Sequence, residues 1–146
     1  MAEALALVTG VTKRMGKVPE GSTISDYDKE EIKRQFSIST TLIPLEYDGE
    51  DGPIKINLLD TPGYFDFVGE VEEAVSVADA AIIVVNCKAG IEVGTEKAWE
   101  LCEEYNLPRI IFVTNMDDDQ ASFRELILKL EKRFRKKDRS VPGSDP

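Results

Sequence analysis

An α/β fold with a doubly wound, mostly parallel sheet is what this sequence predicts, on three observations. Continuous apolar runs at residues 80–85 and 109–113 have strand length and read as strands covered on both faces. Segments with apolar residues at three- and four-residue intervals lie between and after them, giving the order strand, helix, strand, helix. A third run, Ile54-Lys55-Ile56-Asn57-Leu58-Leu59, ends in Asp60-Thr61-Pro62-Gly63, which puts a carboxylate and a glycine at the C-terminal end of a strand. Open α/β sheets hold their ligands at that end.

The remaining elements follow in chain order. Residues 2–8 are helix-prone and stop at Gly10, a C′ glycine. Residues 12–27 are polar and contain glycine, hence a loop, and residues 28–34 predict a short exposed helix. From 37 to 47 the pattern alternates as a strand does, with Ile38, Thr40, Leu42 and Pro44 on one side. Proline has no N–H for a second ladder, so this strand belongs at an edge. Asp48-Gly49-Glu50-Asp51-Gly52 supplies the hairpin connection to the strand at 54–59. Val68, Val71, Ala74, Val75 and Ala78 mark an amphipathic helix, residues 95–106 a second with Trp99 and Leu101 inward, and residues 122–134 a third. Residues 136–146 carry Pro and Gly without periodicity and are expected to be disordered, so the domain covers 1–134 and a tail covers 135–146.

With 146 residues and 42% hydrophobic content, the chain can build one core. Its formal charge of −10, from 28 acidic and 18 basic residues, excludes a nucleic-acid surface spread over the whole chain, because phosphate neutralisation needs clustered Lys and Arg. Basic residues concentrate at 129–139, which reads either as a solvated helix face running into the tail or as a local RNA contact. Cys87 and Cys102 have neither metal-ligand nor disulfide spacing and fall within apolar patterns, so both are expected to be reduced core thiols. No apolar stretch has membrane-spanning length, and the opening residues lack a basic leader and a cleavage site. A cytoplasmic location without membrane contact is the expectation. The chain has no histidine, which removes the commonest general base and metal ligand.

The Asp60 motif has a specific chemical use. An acidic group there can reach Mg²⁺ or its water shell, while a glycine N–H without side-chain obstruction approaches a terminal phosphate. An ordinary strand-to-loop turn built from Asp, Pro and Gly is the other explanation of the tetrapeptide. Its neighbours favour the first. Residues 60–67 read Asp-Thr-Pro-Gly-Tyr-Phe-Asp-Phe, which resembles the switch II motif Asp-Thr-Pro-Gly-His-x-Asp-Phe of translational GTPases. Upstream, Arg34-Gln35-Phe36-Ser37-Ile38 lies where that family has its switch I motif Arg-Gly-Ile-Thr-Ile. Over residues 1–134 the chain resembles the GTPase domain of elongation factor G and its paralogues, including the ribosomal-protection relatives.

That resemblance implies a P-loop GTPase-type doubly wound, mostly parallel sheet, with GTP or GDP and Mg²⁺ as ligands and the ribosome as partner of the complete protein. Ser37 takes the place of the switch I threonine that ligates Mg²⁺ and contacts the γ-phosphate, and Gln35 replaces the family's glycine. Asp60 corresponds to the aspartate that acts on the metal through water, and Gly63 to the γ-phosphate sensor. Tyr64 stands where most members carry the histidine that positions the attacking water. A phenol with a pKa of about 10 cannot replace it as a switchable group at neutral pH, so hydrolysis is expected to be slow or differently triggered. Certain elongation factor G paralogues look similar at that position. Arg14, Lys17 and Tyr27 fall in switch I as solvated loop residues.

The family's guanine motif, Asn-Lys-x-Asp, should follow the strand that ends at Val113, and the residues there are Thr114-Asn115-Met116-Asp117. Anchoring on Met-Asp makes Asp117 the residue that grips the base, with Asn115 in the Lys position. A one-residue slide pairs Asn115 with Asp118 instead. The phosphate-binding loop Gly-x-x-x-x-Gly-Lys-Thr does not occur in the sequence, which opens at residues resembling the helix just after it. The family's first strand, which lies between the strand ending at Leu59 and the one starting at Ala80, is missing with it, as is the final Ser-Ala guanine loop. An unpaired ladder on both neighbours invites self-association, so the competing expectation is a non-enzymatic module that dimerises or pairs its free strands. An unrelated α/β enzyme using Asp60 and Asp66 as paired carboxylates is the third alternative.

Overall fold

The computed structural model describes residues 1–135, and its architecture is α/β. The first helix, α1 (Ala2–Val8), ends at Thr9 with Gly10 at φ 76°, the left-handed turn expected of a C′ glycine. Helix α2 (Lys29–Arg34) starts from Asp28, whose Oδ1 accepts the Glu30 N–H at 2.8 Å, while Glu31 Oε2 accepts the Asp28 N–H at 3.2 Å. This reciprocal pairing is a capping box, and it lets six residues hold a helix that propensity alone would not.

Strand β1 (Thr41–Gly49) and strand β2 (Gly52–Asp60) form an antiparallel hairpin with Thr41 opposite Asp60 and Ile43 opposite Leu58. Thr41, Ile43 and Leu45 are buried and Leu42 is exposed, so the inward face is the odd-numbered series, not the Ile38, Thr40, Leu42 and Pro44 side. The strand also begins at Thr41 and not at Ser37. The cause is local: the N–H groups of Ile38 and Ser39 donate to Glu31 and that of Thr40 to Glu70, which leaves no donors there for a ladder. Ile43 and Leu45 pack with Ala2, Ala6, Leu5, Ile24 and Leu58 into a small core under α1.

Strand β3 (Ala81–Asn86) pairs in parallel with β4 (Arg109–Thr114), and the crossover between them carries helix α4 (Val93–Glu104). Helix α5 (Phe123–Phe134) follows, capped by Ser122 Oγ on the Glu125 N–H at 3.4 Å. Ile83 and Val85 meet Cys87, Cys102, Leu107, Leu126 and Leu130 in the second core, and both cysteines are free and buried as expected. The opposite face of this sheet is open: Ile82, Val84, Ile110 and Phe112 are exposed. Among the described residues no helix covers it, which corrects the expectation of strands buried on both sides.

Among the described residues the strands form two two-stranded sheets, β1 with β2 and β3 with β4. The break falls between β2 and β3, the position predicted for the missing strand. Helix α3 (Val68–Val77) connects the halves: Glu70 bonds to Thr40 ahead of β1, and Val75 packs on the second core. The expected tail from residue 136 onward lies outside the described residues, and Arg135 caps α5.

Gln35 occupies the left-handed region, at φ 60° and ψ 34°, where an L side chain is strained. Gln35→Gly should raise stability by about 0.5–1 kcal/mol, less than the strain itself because glycine gains freedom in the unfolded chain. The check is the urea midpoint at constant m-value; an unchanged or lower midpoint would show that α2 ends without strain.

Candidate functional site

The acidic end of β2 is built by the loop before α2. Glu3 on α1 accepts the Gly16 N–H at 2.7 Å and also the Ile24 N–H, which pins that polar loop across the helix. Thr41 Oγ1 donates to the Ser25 carbonyl at 2.8 Å, bringing Ser25 and Asp26 to the β1–β2 end. Asp26, itself buried, accepts Ser37 Oγ at 2.6 Å. Ser37 and Asp60 therefore share a neighbourhood with a second carboxylate, and that carboxylate is Asp26 rather than Asp66, which is exposed.

Burial raises the Asp60 carboxyl above the usual carboxylate range; the Ser25 hydroxyl pulls it back by hydrogen bonding, and the negative charge of Asp26 pushes it up again. The N-terminal ammonium lowers it and the charge of Glu3 raises it, both by less. All the donors gathered here, Asp60, Asp26 and the Ser37 hydroxyl, are hard oxygens of the kind that suit Mg²⁺, which takes one or two carboxylates and completes its shell with water and phosphate. Among the described residues there is no cluster of three or more acidic, His or Cys side chains suited to a metal.

Beyond Asp60, Pro62 is buried while Gly63 is exposed, and a Cβ added at Gly63 would meet nothing within 4 Å. Packing inside the chain does not require glycine there. Tyr64 is exposed, with its ring centroid 4.6 Å from that of Phe36, and Phe36 lies 6.4 Å from Phe67. Thus Phe36, one residue before Ser37, rests on the turn that carries Tyr64. A second tie joins Thr40 to Glu70, by N–H to Oε2 at 2.5 Å and by Oγ1 to the Glu70 carbonyl at 3.2 Å. Glu31, only 3% exposed, holds the segment from the other side through the Ile38 and Ser39 N–H groups at 2.9 and 3.1 Å.

A second set of groups stands at the C-terminal ends of β3 and β4. Asn86 Oδ1 accepts the Lys88 and Ala89 N–H groups at 2.9 and 3.2 Å, and its amide donates to Asn115 Oδ1 at 3.2 Å. Asn115 itself has φ 54°, a turn that asparagine tolerates better than most residues. Asp118 is engaged, with Oδ1 on the Gln120 N–H at 2.8 Å and Oδ2 on Lys88 Nζ at 3.2 Å. Asp117 is exposed to solvent beside it.

Asp26, Glu31, Glu70 and Asn86 escaped sequence reasoning. Glu31 had a legible signal, the Asp-x-x-Glu spacing of a capping box at Asp28, and Asn86 a weaker one as the polar end of an apolar strand. Asp26 and Glu70 act on residues distant in sequence and leave no local mark.

Ser37 and Asp60 near the end of β2 and Asn115 and Asp117 past the end of β4, on an α/β frame interrupted between β2 and β3, match the arrangement expected of part of a translational-type GTPase domain. Comparison with known proteins identifies the particular family. The family model for the elongation factor Tu GTP-binding domain matches residues 1–144. An elongation factor G-like protein of Mycobacterium tuberculosis is 37% identical over 134 residues, covering 92% of this chain and 18% of its own length. The mitochondrial ribosome-releasing factor 2 of Candida albicans is 38% identical over 135 residues, covering 90% of this chain and 16% of its own. A crystal structure of a Thermus thermophilus protein superposes with a TM-score of 0.82 at 40% identity, over 89% of this chain and 19% of that one. The chain belongs to the elongation factor Tu GTP-binding domain family, and it spans less than a fifth of the length of these relatives. Among the described residues no helix is long and apolar enough to cross a membrane.

Because Asp60 binds its proton more tightly in the fold than the ordinary value of 3.8 implies, the folded state holds more protons between those two values and stability falls as pH rises through that window. Asp60→Asn should flatten that part of the pH profile and raise stability at neutral pH, read from urea midpoints across the acidic range. A profile identical to that of the parent chain would show that Asp60 is not the desolvated group.

Proposed function

We propose that these residues form the switch and base-recognition parts of the GTP-binding domain of an elongation factor G-like protein. The complete protein would bind GTP and GDP with Mg²⁺, hydrolyse GTP, and act with the ribosome in translocation, in the cytoplasm. The observation that supports this function most is the hydrogen bond of Ser37 to buried Asp26, whose neighbour Ser25 bonds Asp60 at the C-terminal end of β2.

In this role Asp60 would hold the metal through water, and Ser37 would exchange its bond to Asp26 for the metal. Mg²⁺, when bound, supplies charge neutralisation of the β- and γ-phosphate oxygens. The open space at Gly63 suits close approach of a phosphate to its N–H. Tyr64, a phenol where most of the family carries an imidazole, leans on Phe36, which supports slow or externally triggered hydrolysis. On the base side, Asp118 is occupied by Lys88 and Asp117 is open, which favours Asp117 as the residue that meets the guanine N1 and N2 groups, with Asn115 next to it held by Asn86. The sequence holds no Gly-x-x-x-x-Gly-Lys-Thr cradle, so these 146 residues alone are expected to bind nucleotide weakly or not at all. A ribosome-recycling role is the second possibility, since relatives at comparable identity are named ribosome-releasing factor 2.

The test supplies the cradle by joining this chain to the strand and loop that precede the corresponding helix in the Mycobacterium tuberculosis relative. The chimera should bind a fluorescent GTP analogue in a Mg²⁺-dependent way, and Asp60→Ala should weaken the Mg²⁺-dependent part by about 10- to 100-fold, the loss of one charge-assisted interaction. Binding indifferent to both Mg²⁺ and Asp60 would overturn the assignment.

A further inference from the structure

The ladder between β3 and β4 ends with Asn86 opposite Thr114, so the loops that follow the two strands start side by side. Side-chain bonds tie these loops together and fix which way their amides face. The N–H groups of Lys88 and Ala89 donate to the Asn86 side chain at 2.9 and 3.2 Å, and an N–H can only donate, so the atom that meets them is Oδ1. The Asn86 NH₂ is thereby turned to the other loop, where it donates to Asn115 at 3.2 Å; the atom receiving it has to be Oδ1. An amide carries its oxygen and its NH₂ on opposite sides of one carbon. With its oxygen turned to Asn86, Asn115 therefore presents its NH₂ on the other side. Lys88 Nζ closes the same two loops on Asp118 Oδ2 at 3.2 Å, and Asp118 Oδ1 accepts the Gln120 N–H at 2.8 Å.

A purine base can read this arrangement. Guanine has acceptors at O6 and N7 and donors at N1 and N2, whereas adenine carries an amino donor in place of O6. A fixed NH₂ at residue 115, two residues before the Asp117 carboxylate, matches the guanine pattern and sets donor against donor at C6 of adenine. The control is needed because Asn115 stands in the lysine position of the guanine motif. An ammonium only donates, but an asparagine donates or accepts according to how its amide is turned.

We propose that Asn86 sets base specificity: by holding Asn115 Oδ1 it makes Asn115 a donor to the O6 edge, so that the site takes 6-oxopurine nucleotides in preference to 6-aminopurine ones. Asn86 is a positioning residue that acts through Asn115. Its role rests on the reading of this end of the sheet as the base side of a guanine-nucleotide site.

The test is competition of GTP and of ATP against the fluorescent GTP analogue on the cradle-bearing chimera. Both competitors carry the same triphosphate, so the ratio of their affinities cancels any change on the phosphate side. Asn86→Asp keeps an oxygen for the Lys88 and Ala89 N–H groups but has no NH₂ for Asn115, whose amide then turns over. The preference for GTP over ATP should fall about ten-fold, the exchange of one matched hydrogen bond for a mismatched one. Asn115→Asp, which removes the donor itself at an exposed turn, should lower the ratio similarly and carries the test if Asn86→Asp fails to fold. Adding Asn115→Lys to Asn86→Asp should restore the preference, because an ammonium donates without guidance. A chimera that binds GTP with an unchanged ratio in both single variants would overturn the role of Asn86 alone, as would a double variant that does not recover. A chimera that binds no guanine nucleotide would overturn the underlying reading of the site and this role with it.

Discussion

Backbone N–H groups in an irregular, partly buried segment need acceptors, and in this chain carboxylates provide them. The stretch between α1 and β1 has no ladder and little helix, yet it must present Ser37 beside Asp60. Glu3 takes the N–H groups of Gly16 and Ile24, Glu31 takes those of Asp28, Ile38 and Ser39, and Glu70 takes that of Thr40. Each bond is charge-assisted and each replaces a pairing that a strand would have supplied. Loss of any one leaves partly buried donors to find partners elsewhere, which adds to the loss of the bond itself. The acidic excess of the composition thus has a structural use in addition to any effect on partners.

The same bonds solve a second problem. With β2 and β3 unpaired among the described residues, no ladder joins the two halves, and their apolar cores are separate clusters. What crosses between them is α3, through Glu70 toward Thr40 and through Val75 toward the second core, with Phe36 resting on Tyr64 in parallel. The two switch-like segments are therefore also the joint between the halves. Under the proposed function, a movement of one would reach the other by direct contact rather than through a sheet.

Much of this was legible in the sequence because it is local. Apolar runs and helical periodicity placed β2, β3, β4 and the helices within a few residues, and the Asp60 motif together with the Arg34 to Ile38 stretch pointed to the family. The interruption between β2 and β3 followed from the same resemblance. What sequence missed depends on distant partners. Ile38 to Thr40 alternate as a strand does, but Glu31 and Glu70 take their N–H groups, so β1 starts later and buries the other face. The runs at β3 and β4 show that both faces are apolar, and they cannot show which helices are present to cover them. Asp26 is one acidic residue in a polar loop until Thr41 and Ser37 bring it to Asp60.

Amide hydrogen exchange, resolved by residue, tests the carboxylate scaffold most directly. Ile24, Ile38, Ser39 and Thr40 lie outside every strand and helix, yet their N–H groups are bonded to buried or half-buried carboxylates. Protection at these four comparable to that of the β1 amides, lost at Ile38 and Ser39 in Glu31→Ala and at Thr40 in Glu70→Ala, is the predicted result. Exchange at the rate of a solvated loop in the parent chain would contradict it, and would leave Ser37 and Asp60 without the framework that brings them together.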